Sequence, residues 1–317
     1  MIFKRGIRMR KIICVAALAS LFFVLLLSGC AKSTPTASAP EPVDYAALVS
    51  VPGGTFLQSD GTNSFTHIIS AFKMGKYQVT YDLWFTVYHW AITHGYNFQN
   101  AGTEGNDGIV GADTTVEKYE PVTIINWRDA IVWCNAFSEK SSLAPCYYYA
   151  SAVIRDSRSS NSTACDGVIC VWENNGYRLP SEGEWQYAAS YIGGLTWTPY
   201  NYASGAIADT TDNTETGRVA WYIINSGGHT NNVGSKDANA LGIYDMSGNV
   251  WEFCWDWYGT YPTGTITNYR GLVSGTLRTL RGGDFMNTIS YLQLGHRAFP
   301  GPSLALAYYG FRFARTY

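Results

Sequence analysis

The sequence predicts one α+β domain with few helices, short strands and much irregular loop, and three features carry that prediction. Aromatic residues make up 15% of the chain, with 23 Tyr and 11 Trp beside 32 Gly. Large rings and freely turning backbone suit loops wound tightly around a core, not a bundle of Ala, Glu, Lys and Leu. Helical periodicity is confined to three short segments between residues 80 and 189. No repeat of fixed period and no linker-like composition interrupts the chain beyond about residue 50.

The first 29 residues read as an export signal. Lys4, Arg5, Arg8, Arg10 and Lys11 precede an apolar run, Ile12 to Leu27, which ends in Leu27-Ser28-Gly29-Cys30. A small-residue cleavage site directly before Cys resembles a bacterial lipobox, so Cys30 is the expected lipidated residue. Several acyl chains hold a protein stably on a membrane. Ala31-Lys32 offers no acidic retention residue, and the expected location is therefore the outer membrane, exposed at the surface. Residues 30–47 form the tether, because STPTASAPEP lacks an apolar period and favours extended backbone. Without the five basic residues of the signal, the 22 Lys+Arg and 24 Asp+Glu of the chain leave a net charge of −7. Such a domain has no electrostatic reason to bind nucleic acid, and it meets the membrane through its lipid anchor only. A monomer is expected.

The folded domain is expected over residues 48–317. Val51-Pro52-Gly53-Gly54-Thr55-Phe56 reads as a turn into a strand, and His67 to Tyr77 alternates loosely. From Thr80, residues Leu83, Trp84, Val87, Trp90 and Ala91 recur at helical spacing until Gly95. Residues 97–119 form a polar loop. Asn126 caps a second helix that runs to about Lys140 and carries Ala130, Trp133, Cys134 and Phe137 on one face. Residues 150–175 are an inserted hairpin or loop. Ser181 and Glu184 have the capping-box spacing and open a third helix with Trp185, Ala188 and Ala189 buried. Beyond about 195 only short strands and loops are expected. Of seven Cys, Cys14 leaves with the signal and Cys30 takes the lipid. The odd five that remain leave at least one thiol free, with a Cys165–Cys170 disulfide as an option.

Several blocks in order resemble the formylglycine-generating enzyme family, also called the sulfatase-modifying factor family. They are Val51-Pro52-Gly53-Gly54-Thr55-Phe56, Gly75-Lys76-Tyr77-Gln78-Val79-Thr80, Asn126-Trp127-Arg128-Asp129-Ala130, Gly176 to Trp185 and Asn239 to Glu252. Leu280-Arg281-Gly282-Gly283 and Gly310-Phe311-Arg312 complete them. The resemblance implies a C-type lectin-like domain. The oxidase members bind copper through two cysteines after the Arg-Gly-Gly motif. Asn287 and Leu292 stand at those positions and no Cys follows Cys254, so neither copper nor oxidase chemistry is expected. Nor is iron, because His67, His89, His94, His229 and His296 are scattered. The resemblance does imply structural calcium, held by the Asp245 carboxylate, the Gly248 and Val250 carbonyls and the Glu252 carboxylate, all hard oxygen donors.

The stretch 284–309, DFMNTISYLQLGHRAFPGPSLALAYY, is neither alternating nor helical, and its only charges are Asp284 and Arg297. Exposed apolar residues of this density mark a binding surface. The stretch resembles the variable region of a sub-branch, the retroelement-diversified variable lipoproteins of treponemes. There, adenine-directed mutagenesis of Asn-type codons cannot yield Lys, Glu, Gln, Met or Trp. The 26 residues here contain no Lys, Glu or Trp, and Met286 and Gln293 are then fixed positions. The expected solvent-facing site comprises Asp284, Asn287, Thr288, Ile289, His296, Ala298, Phe299, Gly301, Ser303, Leu304, Leu306 and Tyr308. Two functions follow as alternatives. One is a non-enzymatic surface lipoprotein that binds an external protein or glycan through this face. The other is a formylglycine-generating-type modifying enzyme or accessory protein of the cell envelope.

Overall fold

The computed structural model describes residues 43–317. The signal, Cys30 and most of the tether lie outside the described residues. The packed part begins before residue 48: Tyr45 stacks on Tyr119 with ring centroids 4.6 Å apart and tilts against Tyr77 at 5.4 Å.

Five helices are described. The first, α1 (Tyr81–Ile92), starts where Thr80 accepts a hydrogen bond from the Leu83 amide. In α2 (Trp127–Lys140) Asn126 and Asp129 form a reciprocal capping box, so two of the orphan amides of the first turn are satisfied. A short α3 (Ser162–Asp166) lies in the inserted region, and α4 (Glu182–Ser190) carries the Ser181–Glu184 capping box. The fifth, α5 (Asn213–Val219), falls where the sequence predicts only strands and loops. Its signal was nonetheless local: the Asp212 carboxylate accepts from the amides of Thr214 and Glu215.

Trp84 of α1 stacks on Trp133 of α2 at 5.9 Å and 4°, and Phe311 meets both rings edge-on. Residues 127–138 of α2 are buried on every side, so its polar residues need internal partners. Asn135 finds four: its amide donates to the carbonyls of Tyr147 and Ile154, and its oxygen accepts from the amides of Cys146 and Tyr147. The inserted hairpin is thereby tied to the core. All five cysteines of the domain are free thiols, and Cys165 donates to the Asp156 carbonyl at 3.1 Å instead of pairing with Cys170.

The two ends of the domain meet in an antiparallel sheet ordered Leu48–Val51, Phe72–Gly75, Ala314–Arg315, Tyr177–Arg178. A second sheet positions the candidate site. Its central strand Trp251–Trp257 runs antiparallel to Arg278–Arg281 and parallel to Tyr309–Gly310. Gly310 lets these elements approach, because a Cβ there would lie 2.8 Å from Val250 Cγ2 and 3.0 Å from the Val122 carbonyl. Two buried arginines brace the sheet. The Arg278 guanidinium lies between the Trp127 and Trp257 rings, 3.4 and 3.3 Å from their centroids. Arg312 forms a fork onto Glu252 with two contacts of 2.6 Å.

Candidate functional site

Residues 284–309 leave the Arg278–Arg281 strand and return to the sheet at Tyr309, and scaffold groups hold their backbone along the way. The amides of Leu280 and Ala298 each donate to the other's carbonyl, at 2.8 and 3.1 Å, and the Arg278 amide donates to Pro300 O at 2.8 Å. Buried Arg281 reaches across to the carbonyls of His296 and Leu294, at 2.5 and 2.8 Å. At the start, Phe285 N donates to Asn249 O at 3.0 Å and Ile223 N to Asn287 O at 3.2 Å. At the end, Trp251 N donates to Tyr308 O at 2.9 Å and Ile124 N to Leu306 O at 3.2 Å. Arg297, 6% exposed by side chain, forks onto Glu182 and covers the rings of Tyr258 and Tyr261. The conformation is thus written in main-chain bonds and buried arginines, not in the exposed side chains.

Of the residues expected to face solvent, Thr288, Phe299, Ser303 and Leu304 are exposed. Asn287, Ile289, His296, Ala298, Gly301, Leu306 and Tyr308 are half-buried. Asp284 is not a surface residue. It is 2% exposed and shapes the turn, accepting from the Met286 amide at 2.7 Å while its own amide donates to Asn287 Oδ1 at 3.2 Å. Burial pushes its carboxyl up to about 6. His296 is held below the usual histidine range, first by burial and then by Arg281, and lies 4.6 Å from the Tyr291 ring and 5.7 Å from Trp251. Sequence reasoning missed exposed Met286, Ser290 and Tyr291. A single helical turn, Ile289–Leu292, buries Leu292 and turns Ser290 and Tyr291 outward. It also missed exposed Ile223 and Ile224, brought beside Asn287 by the Ile223 amide, for which the sequence offers no local signal.

The second candidate site is the turn Asp245–Glu252. Four oxygens converge there, but on a side-chain nitrogen: Gln78 Nε2 lies 3.1 Å from Asp245 O, 3.3 Å from Gly248 O, 3.1 Å from Val250 O and 3.0 Å from Glu252 Oε1. The Asp245 carboxylate faces away and accepts from the Gly234 amide at 2.7 Å. Glu252 is already bound by Arg312 and by Trp185 Nε1 at 2.8 Å. Three of the four groups expected to bind calcium are therefore together, yet the arrangement does not fit the ion. Ca²⁺ takes six to eight oxygens at about 2.3–2.6 Å. Here the centre is filled, the distances are those of N–H···O bonds, and the one carboxylate present is neutralised by Arg312.

Comparison with known proteins decides the family. Residues 34–317 match the Sulfatase-modifying factor enzyme 1-like domain. The chain belongs to that family. It is 30% identical over 289 residues to the Chaperone protein LppX of Paenibacillus barcinonensis, covering 85% of this chain and 87% of that one. Against the Formylglycine-generating enzyme of Thermomonospora curvata it is 32% identical over 151 residues, 44% of this chain and 49% of the enzyme. Among solved structures, Treponema denticola variable protein 1 superposes with a TM-score of 0.68 at 28% identity, covering 85% of this chain and 95% of that one. A second structure, CarF, gives 0.65 at 26% identity, with 87% and 99% covered. The fold is the C-type lectin-like fold of the formylglycine-generating enzymes.

At Asn287 and Leu292, where the sequence resemblance places the copper cysteines of the oxidase members, the side chains do structural work. Leu292 is fully buried against Ala203, Ala206, Val219, Ala220 and Tyr222. Asn287 accepts from the Asp284 amide. Neither an alkyl group nor an engaged amide is a soft copper ligand.

Proposed function

We propose that this member of the sulfatase-modifying-factor family is a non-enzymatic lipoprotein, anchored through Cys30 in the outer membrane and displayed at the cell surface. It binds an external protein or glycan through the 284–309 face. The observation that carries this reading is the division of labour in that segment: scaffold amides and buried arginines hold its backbone, while Thr288, Phe299, Ser303 and Leu304 point to solvent. Such a face can exchange side chains without refolding. Likeness to a protein named for its variability supports the same reading. The exposed residues of the segment carry no formal charge, so contact area from aromatic and apolar groups, at about 25 cal/mol per Å² removed from water, supplies the affinity. The protein acts as a monomer without copper or iron, and does not bind nucleic acid.

The test is the pattern of variation in sibling genes of one genome. Differences should concentrate in adenine-containing codons for the exposed positions of 284–309, with a near-copy of the stretch beside a reverse transcriptase gene. Variation spread evenly over scaffold and segment would refute the reading. The second reading, an accessory protein of the cell envelope, is favoured by the likeness to a protein named as a chaperone. A modifying enzyme would convert a sulfatase-type cysteine peptide to formylglycine above a no-enzyme control, and no conversion is expected.

A further inference from the structure

The Asp245–Glu252 turn carries more of the architecture than its length suggests. Gly248 N donates to Gly282 O at 2.9 Å, Asn249 O accepts from Phe285 N, and Trp251 N donates to Tyr308 O. These bonds hold the entry to the C-terminal segment and its exit. Whatever fixes the turn therefore fixes both ends of the face.

In this chain the turn is centred on an amide. Gln78 is fully buried, and its backbone is held by its neighbours: Val79 N donates to Phe311 O and Val122 N to Val79 O, both at 2.9 Å. The Tyr77 ring stacks on Tyr244 at 5.2 Å, just ahead of the turn. The side chain then presents one NH₂ group, whose two hydrogens are shared among the four oxygens, while Gln78 Oε1 is buried with no hydrogen-bond partner among the described residues. That asymmetry identifies what the cage demands. Four converging oxygens require a positive or hydrogen-bearing centre, and turning the amide over would set a fifth oxygen against them.

Charge selects the centre. The one carboxylate in the cage is that of Glu252, and Arg312 already pairs with it through two contacts of 2.6 Å. A dication added to three neutral carbonyls would leave its charge uncompensated in a fully buried site. A neutral N–H donor leaves none. We propose that the Gln78 carboxamide replaces a cation at the centre of this cage, so that the turn, and through it both ends of the C-terminal segment, is locked without metal. The lock is independent of what the face binds.

Two measurements on the full-length protein, purified in detergent, test this. First, protein purified without chelator is assayed for calcium by mass spectrometry, and protein stripped with chelator is melted with millimolar calcium or with chelator. Well under one ion per chain and coincident melting curves are expected. A stoichiometric ion, or a melting temperature raised by calcium, would overturn the proposal whatever happens to any variant. Second, Gln78→Met keeps the length of the side chain and removes its donors. Its melting temperature should fall by about 5 °C or more, equally with and without calcium. A variant as stable as the wild type would show that the amide holds nothing, and one rescued by calcium would show that the cage is an ion site.

Discussion

Arg281 is a scaffold residue whose side chain reaches the backbone of the candidate face, and replacing it by methionine isolates that role. Its side chain is fully buried, and two of its nitrogens donate to the His296 and Leu294 carbonyls at 2.5 and 2.8 Å. Methionine fills most of the stem's volume but leaves both carbonyls without donors, at about 1–3 kcal/mol each. No charge is stranded, because Glu182 keeps its fork to Arg297 at 2.5 and 2.8 Å, whereas its contact with Arg281 is 3.6 Å. Relief from burying a guanidinium offsets part of the loss, so Arg281→Met should cost about 2–4 kcal/mol. For a domain of this size that is a fall of about 4–8 °C in melting temperature. Urea denaturation measures the free energy, and amide hydrogen exchange should show protection lost around residues 294–298 before the rest of the domain. A change below about 0.5 kcal/mol, or exchange raised evenly, would refute the claim that buried arginines hold this backbone.

Two further perturbations probe the segment's ends. Burial raises the Asp284 carboxyl from 3.8 to about 6, so the native state holds the proton more tightly than the unfolded chain does. Its contribution to stability is full below about pH 4 and is lost as pH rises through about 6, some 2–3 kcal/mol in all. Asp284→Asn keeps the acceptor for the Met286 amide and should flatten that slope; parallel stability–pH curves for variant and wild type would contradict it. Gly310→Ala should cost about 1–3 kcal/mol by urea denaturation, because its Cβ would sit 2.8 Å from Val250 Cγ2 and 3.0 Å from a carbonyl. Unchanged stability would mean the sheet can open there.

What the sequence revealed was set by local physics. The caps at Asn126 and Ser181 and the apolar period that begins at Thr80 are short-range signals, and each element stands where they place it. The Asp284 carboxylate was misplaced because a charged residue in an apolar stretch reads as exposed, whereas here it is consumed by its own turn. Leu292 and Tyr291 differ in burial through a single helical turn that propensity does not announce. Ile223 and Gln78 reach their sites through contacts spanning many residues, the Gln78–Glu252 bond alone linking positions 174 apart. A family motif located the Asp245–Glu252 cage, but it could not show that a glutamine from another motif fills it.

On the proposed function, the side chains of the 284–309 face are interchangeable because scaffold groups hold its backbone. Simultaneous substitution of Thr288, Phe299, Ser303 and Leu304 by other small polar and aromatic residues tests that directly. Surface changes lie within about 0.5 kcal/mol each, so the four should lower stability by no more than about 2 kcal/mol in all. A crystal structure of the variant should superpose on the wild type along the backbone of 284–309, and a ligand selected on the wild-type face should no longer bind. A segment that refolds, or a variant that keeps its ligand while losing much more stability, would contradict the account.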